Sequence, residues 1–320
     1  MRNRRRTRAV CACGALLSPA HARTGPWVNK VRKPVDVPNC TAAVAAAIAR
    51  PSTCVPDGWA LLSMTNAHHA PLQALQFERV ASLSCLMTRL VRICYGTVQT
   101  VPDTFGTCVY GPHVIPSDYR RSQYVSLNWA KWPFFLDALL AAPHILWIEA
   151  DVVILRNPFE ALLAPAERER TLTHAIRYQG EGPPCRESAP GVGDGYANES
   201  AVSGCDRAGK PHDEPLNCGQ LVVNSRPLAL AIWDARPDNF TNGAFSQQHY
   251  ANVEKERWPH SYLPITFYSF HWRGTKVHRP CALTTYHITG LSDSKSKANA
   301  MRIMLKQTAG CANASAKAAG

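Results

Sequence analysis

Residues 144–155 read HILWIEADVVIL, an apolar run broken only by Glu149 and Asp151 with Ala150 between them. Ile145 to Ile148 and Val152 to Leu155 have the β-branched and aromatic density of a strand buried on both faces, as in a parallel sheet. Side chains at i and i+2 of a strand share a face, so the spacing predicts two carboxylates side by side. Unpaired buried charge costs several kcal/mol, and like charges together cost more. A chain that keeps this run must therefore bring positive charge to it, from lysine or arginine or from a metal ion.

The surrounding pattern agrees with such a sheet. Trp59–Thr65 reads as a strand, Leu72–Leu90 as a helix with apolar positions at Leu72, Leu75, Phe77, Val80, Leu83 and Leu86, and Val91–Tyr95 as a second strand. A helix opens near Lys131 with Pro133 in its first turn and leads directly into HILWIEADVVIL. This alternation predicts an α/β fold with a mostly parallel, Rossmann-like sheet flanked by helices. Ligands of such sheets collect at the carboxyl ends of the strands, where Glu149 and Asp151 are expected. Residues 178–216, rich in glycine, proline and charge, read as a long inserted loop, with a Cys185–Cys205 bridge as one way of closing it.

The net charge of +12 is local to one end. Residues 1–33 hold nine Lys or Arg and no acid, and the rest carries 26 basic against 23 acidic residues. No nucleic-acid face is expected on the body. The arginine-rich start, the short apolar stretch from Ala9 to Leu17 and Ala20-His21-Ala22 have the order of a secretory signal, with an organelle transit peptide as the rival. Ten cysteines follow it without a CxxC pair, which speaks for disulfides rather than zinc. Sequons stand at Asn39, Asn198, Asn239 and Asn313. The expected location is the secretory pathway, either the Golgi lumen or outside the cell. Membrane association is expected only through the N-terminal segment or an anchor upstream of it, because no other run approaches the length of a membrane span. The expected organisation is a signal over 1–22, a Pro- and Ala-rich stem or linker over 23–57 with room for one short helix, a globular domain over 58–305 and a tail over 306–320.

The chain from KWPFFLDALL through HILWIEADVVILRNPF resembles the core of nucleotide-diphospho-sugar transferases of the GT-A fold, in particular plant and algal glycosyltransferase family 77. That family has a lysine opening a helix, an Asp-x-Asp ending a strand and an Arg-Asp-Pro; here stand Lys131, Glu149-Ala150-Asp151 and Arg156-Asn157-Pro158. Further segments follow in the family's order: Asn217-Cys218-Gly219, Gln247-Gln248 with Asn252 where the family has Asp-Gln and an Asn, and TYHITGLSDSKSKANAMR with its His-x-x-Gly and downstream lysines.

The resemblance implies a glycosyltransferase that moves a sugar from a nucleotide-diphosphate donor, UDP above others, to a glycan or glycoprotein, with retention of configuration. It implies Mn2+ or Mg2+ held by Asp151 and His287, with Glu149 as a further ligand or a ribose contact. Donor contacts are then expected at Thr65, Asn66, Lys131, Gly219, Gly290 and either Lys295 or Lys297. Gln247, Gln248 and Asn217 fall beside the transferred sugar. His271 and His278 are rivals to His287, and Lys131 or Arg156 are partners for the acids if the acids are structural. Glu149 and Gln247 depart from the family's Asp at both places, which leaves a second class open: a secreted, disulfide-containing carbohydrate-binding or non-catalytic protein on the same fold. A glycosidase is disfavoured because its carboxylates must flank the bond they break.

Overall fold

The computed structural model describes residues 39–66, 69–78, 84–95, 106–111, 128–179, 216–236, 247–264, 266–271, 280–289, 291 and 293–309. Its strands are β1 (Trp59–Asn66), β2 (Leu90–Tyr95), β3 (Thr107–Gly111), β4 (His144–Ile148), β5 (Val152–Ile154), β6 (Ile176–Gln179), β7 (Asn217–Val223), β8 (His260–Tyr262), β9 (Phe267–His271) and β10 (Thr285–Thr289). Seven form one sheet in the order β3-β2-β1-β4-β7-β6-β8, and β5-β10-β9 form a second. Strands β3, β2, β1 and β4 run parallel, while β7 is antiparallel to both its neighbours, β4 and β6. The mostly parallel α/β sheet expected from the sequence is thus present.

Alternate residues of the central strands enter two separate cores, which is why the strands are apolar throughout. Ala60, Leu62, Ile145 and Trp147 face one layer. It contains α1 (Thr41–Ile48), α4 (Lys131–Ala138) and α7 (Arg226–Asp234), through Val44, Trp132, Phe134, Phe135 and Leu228. Trp59, Leu61, Leu146 and Ile148 face the other, with Leu86 of α3 (Ser84–Met87), Phe159 and Leu162 of α5 (Pro158–Leu162), and Val152 and Ile154. Behind α5 the chain continues through α6 (Pro165–Thr173) into β6. Helix α1 lies in the stretch expected as a linker, yet Val44 and Ala47 are fully buried, so this part of the stretch belongs to the core.

Two local expectations are corrected. The HILWIEADVVIL run is two strands of different sheets: β4 ends at Ile148, the chain turns through Glu149–Asp151 with Val152 N donating to Glu149 O at 3.2 Å, and β5 joins β10. The helix expected over Leu72–Leu90 is replaced, among the described residues, by α2 (Ala70–Glu78), the short α3 and a strand beginning at Leu90. The expected signal and most of the stem, the bulk of the 178–216 loop with the Cys185–Cys205 pair, and the sequons other than Asn39 lie outside the described residues.

The last helix, α9 (Ser294–Gln307), places Ala298, Met301, Met304 and Leu305 in a third core with Leu72 and Leu75 of α2 and Val153, Tyr286 and Ile288 of the small sheet. Asp293 caps it, its Oδ1 accepting from Ser296 N at 2.8 Å. This docking carries the first turn of α9 to the carboxyl end of β4.

Candidate metal and donor site

Strand β1 lies between β2 and β4, so the order of parallel strands reverses there, the place where open α/β sheets form a crevice. A cleft opens at that end, lined by Met64, His69, Asn128, Trp147, Glu149, Ala150, Asp151 and Lys297. The turn that supplies the two acids is pinned by its backbone. Glu149 N donates to Gly219 O at 2.9 Å, Glu149 O accepts from Gln76 Nε2 at 2.6 Å, and Asp151 O accepts from Ile288 N at 3.2 Å. The last of these bonds brings the small sheet, and with it His287, against Asp151.

Each acid has a lysine. Lys131, fully buried at the start of α4, pairs with Glu149 Oε1 and also donates to Cys218 O at 3.2 Å. Its ammonium stands 5.3 Å from the centre of the Trp147 ring. Without these partners a buried ammonium would cost several kcal/mol. Lys297, on the first turn of α9, pairs with Asp151 Oδ2. His287 faces the other oxygen, with Nε2 3.4 Å from Oδ1. Burial pushes the Asp151 carboxyl up, but Lys297, and after it His287 when its ring is protonated, outweigh it and hold the group well below the usual carboxylate range.

One ligand atom each from Glu149, Asp151 and His287 lies within 4.8 Å of the others. A divalent cation with bonds of about 2.1–2.4 Å keeps its ligands no farther apart than about 4–5 Å. Two carboxylates are donors that Mn2+ and Mg2+ both take, and the imidazole beside them favours Mn2+ of the two, so the residues present fit such an ion.

Gly219 passes directly beneath the imidazole: a Cβ there would overlap the His287 ring, which accounts for glycine at this position. Asn217 shapes the same strand end, its Oδ1 accepting from Gly219 N at 2.8 Å. Asn252, of α8 (Gln247–Lys255), accepts from Leu216 N at 2.6 Å and holds the beginning of β7.

Thus the structure brings together Lys131, Glu149, Asp151, Gly219, His287 and Lys297. Lys295 is solvent-exposed and forms no part of the cleft lining. Gln247 is buried and accepts from Trp132 Nε1 at 2.9 Å, which ties α8 to α4; Gln248 is half-buried. Thr65 and Asn66 are buried at the end of β1, where the Asn66 side chain accepts from His69 N at 2.8 Å. Arg156, offered above as a partner for the acids, donates instead to Cys281 O. Gly290 and His278 lie outside the described residues, and His271 pairs through its backbone with Thr289.

Sequence reasoning passed over Gln76, Gln179 and His69. Gln76 carried a signal: with Gln73 it places amides on the buried side of an amphipathic helix, and both are fully buried. Gln73 Nε2 donates to Ser63 Oγ at 3.2 Å, while Gln76 holds the turn of the acids.

No protein-family model matches the chain, and no curated protein matches it in sequence. Solved structures with a similar chain path include the galactosyltransferase LgtC in complex with donor and acceptor sugar analogues, at 9% identity, 78% of this chain, 95% of that chain and a TM-score of 0.44. A glycosyltransferase involved in glycosylation of the major capsid of PBCV-1 matches at 13% identity, 77% and 98% coverage and a TM-score of 0.42. Mouse xyloside xylosyltransferase 1 matches at 16%, with 73% and 98% coverage and a TM-score of 0.42.

Proposed function

We propose that the chain is a glycosyltransferase of the GT-A type that takes a sugar from a nucleotide-diphosphate donor, with UDP as the nucleotide, and passes it to a glycan or glycoprotein. The observation that carries this reading is the convergence of His287 on Glu149 and Asp151, which with Lys297 line one cleft at the switch point of the sheet. The resemblance of the motifs around Lys131, Glu149-Ala150-Asp151 and His287 to glycosyltransferases supports the same class.

Asp151, His287 and Glu149 would hold Mn2+ or Mg2+. When bound, the cation supplies Lewis-acid neutralisation of the charge that develops on the diphosphate as the glycosidic bond breaks. Lys297 adds a fixed positive charge beside the same place, on the first turn of α9 where backbone N–H groups also favour anions. Lys131 leaves Glu149 Oε2 for the site while neutralising Oε1. His69 lines the side of the cleft on which we place the nucleotide, and the Asn66 side chain accepts from its backbone N–H. Gln248 is our candidate for orienting the sugar; an amide orients and does not attack, so no covalent intermediate on it is invoked. We place the protein in the lumen of the secretory pathway or outside the cell, a reading supported by the Cys54–Cys85 and Cys94–Cys108 bridges.

A second reading has one observation in its favour: each acid already has a lysine, so the charges of the site balance without an ion. On that reading the chain is a non-catalytic or carbohydrate-binding protein on a transferase-like fold. A panel of nucleotide sugars decides between them. Mn2+-dependent hydrolysis of one donor, abolished by EDTA, with a raised melting temperature in the presence of that nucleotide, is expected. A panel in which no nucleotide sugar is hydrolysed and none stabilises the protein, with or without Mn2+, overturns the transferase reading.

A further inference from the structure

Gln179 is the last residue of β6, almost fully buried, and its side chain bridges the two sheets. Its Nε2 donates to Phe267 O of β9 at 3.1 Å, and its Oε1 lies 3.0 Å from His287 Nδ1 of β10. Phe267 O only accepts, so the amide has one workable orientation: nitrogen toward β9, oxygen toward the imidazole. The reverse orientation would set two carbonyl oxygens against each other. An amide oxygen also only accepts, so His287 Nδ1 must carry a hydrogen. The neutral ring then has its lone pair on Nε2, which faces Asp151 Oδ1 at 3.4 Å.

A lone pair aimed at a carboxylate is unfavourable unless a positive centre joins them, and this is the arrangement in which an imidazole serves as a metal ligand. Gly219, packed against the ring, restricts the room in which it can turn. A glutamate at 179 would set a carboxylate oxygen against Phe267 O and add a third acid near Glu149 and Asp151. Glutamine satisfies the imidazole without that charge.

From this geometry we infer that Gln179 is a positioning residue: it fixes the Nδ1–H tautomer of His287 and thereby sets the affinity of the site for a divalent cation. The inference rests on the metal reading above. It concerns orientation of a ligand, since Gln179 is absent from the cleft lining.

The test uses the full chain in two measurements. In metal-free protein, 15N shifts of the His287 ring, assigned with a His287→Asn variant, report the tautomer. Mn2+ binding in the presence of UDP is followed by electron paramagnetic resonance. The wild type is expected in the Nδ1–H form. Gln179→Leu, of similar volume but unable to accept, is expected to lose that preference and to weaken Mn2+ binding about 10–100-fold. Gln179→Glu, which still accepts from Nδ1, is expected to keep the tautomer and to bind more tightly than Gln179→Leu. Gln179→Met replaces Gln179→Leu if the latter does not fold. An Nε2–H tautomer in the wild type, or wild-type Mn2+ affinity in Gln179→Leu, overturns the inference and leaves the metal reading standing. A wild type in the Nδ1–H form that takes up no Mn2+ overturns the metal reading, and the consequence for affinity falls with it.

Discussion

At Asp151 a lysine, an imidazole and a candidate cation meet two carboxylate oxygens. Lys297 takes Oδ2 and His287 faces Oδ1. Asp151→Asn keeps the shape and removes the charge, so turnover and Mn2+-dependent stabilisation are expected to vanish while the fold persists. Because the folded carboxyl titrates below its ordinary range, its stabilising effect is present above the unfolded value near pH 4 and is lost as pH falls through the lower folded value. With chelator present, the stability gap between wild type and Asp151→Asn should therefore be open at about pH 5 and close in stronger acid. Denaturant titrations across that range measure it; a gap that widens in acid would contradict the ion-pair geometry. Gly219→Ala probes the neighbouring contact. Its Cβ has no space beside the His287 ring, so the ring must move, and Mn2+ affinity is expected to fall about 10–100-fold with the circular dichroism unchanged. The acids, His287 and the lysines were visible in the sequence because their residue types carry chemistry. Gln179 was not, and Gln76 showed only as an amide on the buried face of its helix: the carbonyls they bond lie 88 and 73 positions away, a relation no local pattern encodes.

Among the elements, apolar density in HILWIEADVVIL marked buried strand correctly but did not mark where one sheet hands over to another. Ile148 and Val152 are equally buried, and only pairing separates them, β4 with β1 and β7 and β5 with β10. Periodicity likewise found the apolar face of α2, whereas Tyr178 and Gln179, expected as the start of the 178–216 loop, belong to β6, and 180–215 lie outside the described residues. The role of α9 is plainer in the structure than in the sequence. Met301 and Met304 are fully buried against the small sheet and α2, and the helix they anchor presents Lys297 to Asp151. Met304→Ala is expected to cost about 2–4 kcal/mol and to weaken donor binding in parallel, because the cavity loosens the helix that positions the cation. Thermal unfolding and nucleotide titration of the same variant check both. Lys295→Ala, at an exposed position of the same turn, should change stability by less than about 0.5 kcal/mol. If the two lysines prove interchangeable in donor binding, α9 does not select between them.

For the molecule as a whole, the cysteines carry the argument that composition began. Cys54–Cys85 ties the segment before β1 to α3, and Cys94–Cys108 ties β2 to the edge strand β3. They close loops of 31 and 14 residues, for which chain entropy gives about 3–4 kcal/mol each. Cys281 is also disulfide-bonded, whereas Cys40 remains a thiol. Burial, with Asp137 nearby, pushes the Cys40 pKa far up, so almost no thiolate forms there to exchange with the bridges. Asn39, immediately before Cys40, is exposed and opens the sequon Asn39-Cys40-Thr41, so a glycan would stand on the surface while the cysteine faces the core. A reducing compartment would forfeit the bridges and leave this site unmodified. Expression in a secreting eukaryotic host is therefore expected to give a product whose mass falls on N-glycosidase treatment, by one step fewer in Asn39→Gln. Mild reduction should lower its melting temperature, while a thiol-alkylating reagent should leave Cys40 unlabelled until the protein unfolds. A cytosolic product with fully reactive thiols and the same melting temperature as the secreted one would place this chain outside the secretory pathway.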